Sequence, residues 1–211
     1  MAESRTQRAP ATAKGEATRA HLLRTAGRIF AERGYAATTQ SDLIAASGLT
    51  KGAFYFYFPS KADLALAVLR EQKGRWLSQV GHRVLAEPTA LEQLRALVPA
   101  MLDLHEREPA AWSITRLTRE LAADPALAAE VAKTPAEWVA LIADIVRRGQ
   151  AAGDLRAGLE PEQVAAVLVG AFDGIKDLTD VLEPGAQGGP AFAGRIRTCQ
   201  ALVELALLAP R

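Results

Sequence analysis

A stripe of apolar side chains at helical spacing is the first clear pattern along the chain. The side chains recur at intervals of four, three and one residues, as Leu22, Ala26, Ile29 and Phe30. This spacing places all of them on one face of an α-helix, which we predict to begin at Thr18. Gly34 follows the last periodic turn, and glycine commonly ends a helix because it adopts a left-handed conformation without strain.

Two short helices separated by a glycine turn come next. Thr38 or Thr39 offers a hydroxyl cap for the second helix, and Gly48 ends it. Thr50 caps a third helix that we predict to run to about Tyr57. A short helix, a tight turn and a second short helix are typical of a helix-turn-helix unit.

Longer helices fill the rest of the chain. Pro59 interrupts the pattern, and Ser60 with Asp63 three residues later begins a long fourth helix that we predict to end near Pro88. Proline and glycine breaks separate five further predicted helices, at 89–107, 110–123, 125–150, 160–182 and 190–208. No segment shows the convincing alternation of a β-strand, so the predicted fold class is all-α.

Charge divides the chain into two unlike parts. Residues 1–80 carry 12 Lys and Arg against 6 Asp and Glu, whereas residues 81–211 carry 13 against 18, although the net charge is only +1. A basic first part beside an acidic second part indicates that only the first part meets a polyanion. Seven of the nine Phe and Tyr residues also lie between Phe30 and Phe58. We therefore predict two units with different functions.

Other classes of function find little support. The single cysteine, Cys199, excludes an intramolecular disulfide and any zinc cluster of several thiolates. The three histidines are isolated in the sequence, and neither a nucleophile elbow, a phosphate loop nor a paired metal-ligand spacing occurs, so we expect no enzyme activity, metal or cofactor. The chain shows no signal peptide and no run of 18 uncharged apolar residues, which predicts a cytoplasmic protein without membrane contact.

The third predicted helix has an unusual outer face. Leu49, Phe54 and Phe58 can pack inward, which leaves outside one cation, two small residues and two phenols: Lys51, Gly52, Ala53, Tyr55 and Tyr57. Such a face can approach a DNA groove closely, with Lys51 reaching a guanine edge or a phosphate. The alternative interpretation is an aromatic core strand over residues 54–58. Five alternating aromatic residues without a partner strand would be prone to aggregate, which favours DNA recognition.

Residues 17–70 resemble the TetR family of one-component transcriptional regulators. The resemblance rests on Phe-Ala-Glu-Arg-Gly-Tyr at 30–35, the threonine pair at 38–39, Gly-Leu-Thr-Lys-Gly at 48–52, the aromatic run at 54–58 and Lys-Ala-Asp-Leu at 61–64. It implies a homodimer that binds a palindromic double-stranded DNA operator and a small-molecule effector. By position, it assigns phosphate contacts to Thr39, Tyr55, Tyr57 and Lys61, and groove contacts to Gln40, Thr50, Lys51, Gly52 and Ala53.

These observations predict three segments. Residues 1–16 read as a disordered arm, residues 17–60 as a three-helix DNA-binding domain, and residues 61–211 as a ligand-binding and dimerisation domain linked by the fourth helix. The expected function is transcriptional regulation, with repression relieved by a small molecule. The alternative from another class is a helical ligand-binding or enzymatic bundle whose basic N-terminal module is not specific for DNA.

The second domain offers residues for a pocket and for a dimer interface. Its first three helices carry large and mostly apolar side chains that we predict to line a ligand pocket: Met101, Leu104, His105, Trp112, Trp138, Leu141 and Ile145. Its last two helices carry apolar side chains that a single bundle does not fully bury, which predicts a four-helix dimer interface. The residues assigned to it are Val164, Leu168, Phe172, Leu202 and Leu205.

Part of the second domain resembles the γ-butyrolactone-receptor branch of the same family. The similar pieces are Glu137-Trp138, the helix at 142–147, Asp154-Leu155, and the helix that begins near Glu160. In that branch a tryptophan lies against a small lactone ligand, and Trp138 matches its position. The alternative is that Trp138 simply packs between helices.

Overall fold

The structure, a computed structural model, describes residues 12–108, 111–112, 114–185 and 189–208. Within these ranges the chain forms α-helices joined by short connections, and the one β-type pairing is an isolated antiparallel bridge between Leu155 and Leu208. The predicted all-α fold class is therefore confirmed.

Eleven α-helices and one π-helical turn account for most of the described residues. In chain order they are α1 (Ala13–Arg33), α2 (Gln40–Ser47), α3 (Lys51–Tyr57), α4 (Lys61–Trp76), the π-helical turn Leu77–Gly81, α5 (His82–Leu85), α6 (Ala90–Arg107), α7 (Ile114–Ala122), α8 (Pro125–Val131), α9 (Lys133–Ala152), α10 (Pro161–Leu182) and α11 (Pro190–Leu207). By packing, the described residues divide into two compact units. The first unit holds residues up to 72 and the segment up to 131 that begins with α7, and the second holds the remainder.

The first helix begins earlier than its apolar pattern predicts. Thr12 caps α1, and its hydroxyl oxygen accepts a hydrogen bond from the backbone N–H of Gly15 at 3.2 Å. The predicted disordered arm over residues 1–16 is therefore wrong from Thr12 onward, and residues 1–11 lie outside the described residues. The first helical turn, residues 13–16, carries no large apolar side chain, so apolar periodicity could not reveal it, whereas a hydroxyl cap can stabilise it.

The helix predicted at 125–150 is two helices. α8 ends at Val131 and α9 begins at Lys133. In an unbroken helix the backbone N–H of residue 135 would donate to the carbonyl of Val131, but residue 135 is a proline and has no N–H. Proline is well tolerated in the first turn of a helix, where no such donor is needed, and this is the place that Pro135 occupies.

Aromatic side chains form the centre of the first unit. Phe30, Phe54 and Phe58 are almost fully buried in one core with Leu64 of α4. Apolar residues of α7 and α8, among them Leu121, belong to the same core. Packing therefore groups residues 114–131 with the first unit, although the predicted domain boundaries assigned them to the second. The functional boundary between residues 60 and 61 stays a prediction.

The second unit is a helical bundle in which several aromatic side chains contact one another. α9 packs along α10, α6 packs on α9, and α11 packs on α6 and α10. Leu104 of α6 and Ile145 of α9 are buried in its core together with Val80 and Val84. The last turn of α4 also belongs to this unit and brings Trp76 to the core.

Candidate functional site

The connection between α2 and α3 has the geometry of a helix-turn-helix. Thr39 and Asp42 form a reciprocal capping box at the start of α2, in which each accepts a hydrogen bond from the other's backbone N–H. Gly48 ends α2 in the left-handed conformation, with φ of 67°, and Thr50 caps α3 two residues later. Because glycine adopts this φ without steric cost, the chain can reverse within three residues and project α3 as a separate helix.

Residues 54–57 of the aromatic run belong to the helix α3, and Phe58 caps its C-terminal end, so the alternative interpretation as a core strand is wrong. Phe54 and Phe58 lie four residues apart and are fully buried, which anchors the helix to the first unit. Tyr55 and Phe56 point away from this core and are 40% and 56% exposed. A single helix thus buries two rings and presents two others to solvent.

The predicted DNA-contacting residues fall into two groups by exposure. Five of them are exposed, namely Thr39, Thr50, Lys51, Gly52 and Tyr55, and four are partly buried, namely Gln40, Ala53, Tyr57 and Lys61.

Two of these residues have a distinct polar environment at the start of α2. The hydroxyl of Thr39 donates to the Asp42 carboxylate at 2.6 Å, and the hydrogen bonds from Thr39 hold the pKa of Asp42 below its ordinary value. The amide nitrogen of Gln40 is buried and lacks a hydrogen-bond partner within the described ranges. The assigned DNA contacts stay predictions.

Lys61 has a structural role that the sequence did not reveal. Its ammonium group donates to the backbone carbonyls of Tyr35 at 2.9 Å and Thr38 at 2.8 Å, and it lies 4.1 Å from the centroid of the Tyr35 ring. Burial lowers the pKa of Lys61 from its ordinary value, and the negative charge of Glu120 partly opposes this change. Lys61 therefore holds together the loop that joins α1 and α2.

Phe56 is an exposed residue of α3 that the sequence reasoning omitted from the DNA-contacting set. Its ring packs edge-on against Tyr57, with the ring centroids 5.1 Å apart. Helical spacing could have identified it, because inward placement of Phe54 and Phe58 turns the positions between them outward. An exposed apolar ring on such a helix can contact the methyl group of a thymine.

The predicted pocket residues converge in the second unit. Six of the seven are buried, namely Met101, Leu104, His105, Trp112, Trp138 and Ile145, and Leu141 is partly buried against the same core. The rings among them meet three more aromatic residues, Trp76, Phe172 and Phe192. We call the set of Trp76, His105, Trp112, Trp138, Phe172 and Phe192 the aromatic cluster.

Short ring-to-ring distances connect the aromatic cluster. The His105 ring lies 5.8 Å from Trp76, 5.7 Å from Trp112 and 5.6 Å from Phe172, measured between centroids. Trp138 joins through Trp76 at 5.9 Å. Edge-on and tilted arrangements at these distances are the favourable ones for aromatic pairs. His105 therefore lies at the centre of the predicted pocket lining.

Lys176 of α10 is buried beside the aromatic cluster, with 1% of its surface exposed. Its ammonium nitrogen lies 5.3 Å from the ring centroid of Trp112 and 5.9 Å from those of Trp76 and Phe172, within the range of cation–π attraction. Sequence reasoning missed this residue. No local signal separates it from the other charged residues of α10, because its burial depends on which helices pack over it.

The protonation of His105 follows from its surroundings. Burial is the main cause that lowers its pKa from 6.5 to about 4, and the positive charge of Lys176 adds to it. The imidazole is therefore neutral at neutral pH. Its Nδ1 lies 2.7 Å from the carbonyl oxygen of Met101, and because a carbonyl only accepts, we assign the proton to Nδ1. Nε2 then carries a lone pair.

Several buried polar atoms of the aromatic cluster lack protein partners. Among the described residues, Nε1 of Trp76, Nε1 of Trp138 and Nε2 of His105 are buried without a hydrogen-bond partner. Trp112 differs, because its Nε1 donates to a carboxylate oxygen of Asp180 at 2.7 Å. Buried polar atoms are usually paired, so three orphaned atoms in one cluster indicate a place where a ligand or water binds.

The predicted interface residues divide between the interior and the surface. Val164 and Leu168 are partly buried in the core, and Phe172 belongs to the aromatic cluster, whereas Leu202 and Leu205 are 63% and 73% exposed. α10 exposes other large apolar side chains: Val167, Leu178, Val181 and Leu182. Phe172 is partly buried, so its contact with His105 leaves part of its ring at the surface, and its assignment to the dimer interface stays a prediction like the interface itself.

The described residues form neither a metal-binding cluster nor a membrane-spanning helix. Across the described ranges no three His, Cys, Asp or Glu side chains are grouped so that they could hold a metal ion. No described helix combines the length and the apolar character needed to cross a membrane.

Family models match both parts of the chain. Residues 22–68 match the model described as bacterial regulatory proteins of the TetR family, and residues 90–204 match the C-terminal model of BetI-type transcriptional repressors. Among curated proteins, the chain is 26% identical to the HTH-type transcriptional activator FasR of Mycolicibacterium smegmatis. That similarity covers 72% of this chain and 66% of FasR, so the chain spans slightly less than two thirds of FasR's length.

Solved structures with similar sequences share the fold over nearly the whole chain. One, from a study of the molecular basis for control of antibiotic production by bacterial hormones, is 31% identical with a TM-score of 0.74 and covers 92% of this chain and 98% of its own. Another is TylP, a TetR regulator from Streptomyces fradiae, which is 30% identical with a TM-score of 0.71 and covers 93% and 89%.

Proposed function

Because the chain belongs to the TetR family of bacterial regulatory proteins, we propose that it is a DNA-binding transcriptional repressor that a small molecule releases from its operator. The observation that carries the proposal is the exposed face of α3, where Lys51 and Tyr55 project from a helix fixed by two buried rings. A regulator of this kind acts on the bacterial chromosome, so the proposed location is the cytoplasm.

The first unit supplies the DNA-binding surface. We assign phosphate contacts to Thr39, Tyr55, Tyr57 and Lys61, and groove contacts to Gln40, Thr50, Lys51, Gly52 and Ala53. The excess of positive charge in residues 1–80 supports this assignment, because neutralised phosphates supply most of the sequence-independent affinity for DNA. Lys61 donates two of its three ammonium N–H groups to backbone carbonyls. The third N–H is therefore the one that we propose to donate to a DNA phosphate.

A symmetric homodimer is the proposed assembly. Two copies of α3 are needed to read both halves of a palindrome. The exposed apolar residues of α10 and α11, with Val181 at 76% and Leu205 at 73%, support a self-complementary interface between these helices. Gly170 and Gly174 add small residues to the same region of α10, and, apart from the adjoining residues and backbone of α10 itself, no described atom lies within 4 Å of the position that a Cβ would take there. A close helix–helix approach is therefore sterically possible.

The second unit is the proposed effector site, with the aromatic cluster as its lining. The apolar rings and the few polar atoms of the cluster suit a mostly apolar small molecule held by a few hydrogen bonds. The structure from the study of bacterial hormones that control antibiotic production, 31% identical to this chain, supports the γ-butyrolactone-receptor resemblance, although the matched C-terminal family model is BetI-type. A lactone as the ligand of this chain stays a prediction. An effector can release DNA only if it binds the DNA-incompetent conformation more tightly than the competent one.

Activation is a second candidate for the way in which the chain regulates transcription. The BetI-type family model describes repressors, which favours repression, whereas the relative FasR is named a transcriptional activator. A reporter gene placed behind the operator distinguishes the two. Repression predicts higher expression when the chain is deleted, and activation predicts lower expression.

A DNA-binding assay tests the proposal. The purified chain is titrated onto labelled DNA from the region upstream of its own gene, with scrambled DNA of the same composition as the control. The proposed function predicts tighter binding to the upstream DNA by about 1,000-fold or more. Lys51→Ala should change which bases are tolerated, and Arg107→Ala, an exposed change in the second unit, should not. Equal affinity for both DNAs would instead favour the helical bundle with a non-specific basic module.

A further inference from the structure

Among the described residues, Phe56 of α3 is the most exposed aromatic side chain, at 56%. The ring of Tyr55, at 40%, is the other exposed one, and it carries a polar hydroxyl, whereas the ring of Phe56 carries none. A single exposed apolar side chain is not unusual on a protein surface. The position of Phe56 on α3 therefore decides what its ring can contact.

Phe56 lies on the side of α3 opposite the buried face. Phe54 and Phe58 are fully buried, and Phe56 is two residues from each, which in an α-helix turns it about 180° away from the midpoint of the two buried rings. α3 has seven residues and is about 10 Å long, so it fits within the major groove, which is about 12 Å wide. A groove contact by the outer face of α3 therefore brings Phe56 to the edges of the bases.

The surface beside Phe56 is open. Gly52 lies four residues earlier, on the same face of α3, and is exposed. Apart from the adjoining residues and the backbone of α3 itself, no described atom lies within 4 Å of the position that a Cβ of Gly52 would take. No side chain therefore covers the helix at this position, which leaves room for a base edge next to the Phe56 ring.

Tyr57 restricts the orientation of the Phe56 ring. The two rings meet edge-on, with an angle of 90° between their planes and 5.1 Å between their centroids. This arrangement is favourable for aromatic pairs. A ring that is already held loses less conformational freedom when it binds, so Phe56 is suited to a defined contact.

The charges around Phe56 favour DNA over an apolar protein surface as its partner. Lys51, the charged residue of α3, is exposed on the same helix. Residues 1–80 carry 12 Lys and Arg against 6 Asp and Glu. A polyanion complements this excess of positive charge, whereas an apolar protein surface does not.

We propose that Phe56 reads thymine in the operator, by contact of its ring with the C5-methyl group of one thymine in each half-site. This inference rests on the proposed function, in which the outer face of α3 contacts a DNA groove. The methyl group of thymine is the apolar group among the base edges of the major groove, where the other bases present hydrogen-bond donors and acceptors. The side chain of Phe56 has no hydrogen-bonding atom, so the methyl group is what it can distinguish.

Replacement of thymine by uracil tests the proposal, because it removes the methyl group and keeps the base pair. The full chain first selects its tightest duplex from a randomised library, and each thymine of that duplex is then replaced by uracil in turn. We expect one thymine in each half-site whose replacement weakens binding about fourfold, the effect of burying one methyl group, and about 15-fold when both are replaced. If no replacement weakens binding, the proposal is wrong.

Variants of the chain connect the effect to Phe56. Phe56→Ala removes the ring, so it should bind thymine and uracil equally at these positions. Tyr55→Phe, which removes only a hydroxyl from the adjacent residue, should keep the fourfold preference for thymine. Leu85→Ala, an exposed change on α5, should keep both the preference and the affinity.

A change in folding does not imitate the expected result, because the preference is a ratio measured with one protein on two DNAs. The exposed position of Phe56 predicts that Phe56→Ala folds, which circular dichroism checks. If it does not fold, Phe56→Gln replaces it, because glutamine also lacks the ring. A folded variant without the ring that still prefers thymine fourfold at the same positions would overturn the proposal.

The same measurements separate this proposal from the proposed function. If the randomised library yields no preferred duplex, the chain does not bind DNA specifically, and both proposals are rejected. If a duplex is selected but no thymine preference depends on Phe56, the regulatory function is kept and the role of Phe56 is rejected. A preference that disappears only with the Phe56 ring supports both.

Discussion

The carboxylate of Glu120 accepts a hydrogen bond from the backbone N–H of Tyr35 at 2.6 Å, although the two residues lie 85 positions apart in the chain. The same oxygen accepts from the N–H of Ala36 at 3.0 Å. One turn earlier on α7, Arg116 donates to the carbonyls of Phe30 and Ala31 at the end of α1. α7 therefore completes the hydrogen bonding at the end of α1, which precedes the helix-turn-helix.

Replacement of Glu120 should destabilise the first unit. Glu120→Ala leaves two backbone N–H groups without their acceptor, which we expect to lower the free energy of unfolding by about 1–3 kcal/mol. Glu120→Gln keeps a neutral acceptor and should cost less. Glu32→Ala is the control, because Glu32 pairs with Arg28 in an exposed salt bridge, and its loss should cost less than about 0.5 kcal/mol. Urea denaturation measures all three, and an equal cost for Glu120 and Glu32 would contradict the structural role.

Lys61 and Lys51 should respond differently to replacement by alanine. Lys61→Ala removes two charge-assisted hydrogen bonds and should lower the free energy of unfolding by about 1.5–3 kcal/mol, together with a uniform loss of affinity for every DNA sequence. Lys51 is exposed, so Lys51→Ala should leave stability unchanged and alter base preference. Thermal unfolding and binding to a panel of operator variants check both. If both variants lost affinity equally for every operator sequence, Lys51 would contact a phosphate rather than a base.

Operator affinity should fall steeply with salt. Each monomer is proposed to neutralise several phosphates, so the dimer should show a slope of about −5 to −10 when the logarithm of affinity is plotted against that of salt concentration. Fluorescence anisotropy at several potassium chloride concentrations measures the slope. A nearly flat dependence would show that phosphate contacts do not dominate binding.

A charge on the exposed apolar face should dissociate the dimer. Leu205→Glu places a carboxylate where the proposed interface excludes water, so the variant should be monomeric at micromolar concentration and lose operator binding. Leu85→Glu is the matched control, because Leu85 is also exposed, at 49%, and lies on α5, outside the proposed interface. Light scattering measures the mass, and the wild-type chain should be a dimer. A monomeric wild-type chain would contradict the proposed assembly.

His105 should make the protein less stable in mild acid. Its pKa is about 4 in the folded chain and 6.5 when unfolded, so below pH 6.5 the unfolded state binds a proton that the folded state does not. The free energy of unfolding should fall as the pH decreases, by about 2 kcal/mol between pH 7 and pH 5. His105→Gln cannot titrate and should lack this part of the pH dependence. Denaturation curves at both pH values measure the free energy of unfolding. If this free energy fell by the same amount between pH 7 and pH 5 in the wild-type chain and in His105→Gln, the assignment to His105 would be contradicted.

The helix-turn-helix was readable from the sequence because local signals specify it. Thr39, Gly48 and Thr50 occupy the cap and turn positions that the pattern predicts, and the i, i+4 spacing of Phe54 and Phe58 sets the buried face of α3. Each of these signals acts over a few neighbouring residues. The start of α1 was missed because its first turn has no large apolar side chain, and the break before α9 was missed because an early proline leaves the apolar pattern unchanged.

The sequence predicted many of the residues of the aromatic cluster but not how they contact one another. The sequence supplied Trp112, Trp138 and His105 as candidates, since large apolar residues gather on predicted helices. Lys176 could not be chosen from the other charged residues of α10, because burial depends on which helices cover it. The contact between Phe172 and His105 was not predicted for the same reason, although the assignment of Phe172 to the dimer interface stays a prediction.

The sequence by itself determined the all-α class, the helix-turn-helix and the candidates for DNA contact, because helix periodicity, caps and charge asymmetry are properties of neighbouring residues and of composition. Only the tertiary structure decided that Lys61 and Glu120 hold the loop after α1 and that Lys176 lies among three rings. These relationships join residues far apart in the chain. They depend on how the helices pack, and no local pattern encodes the burial that gives a lysine or a histidine its chemistry.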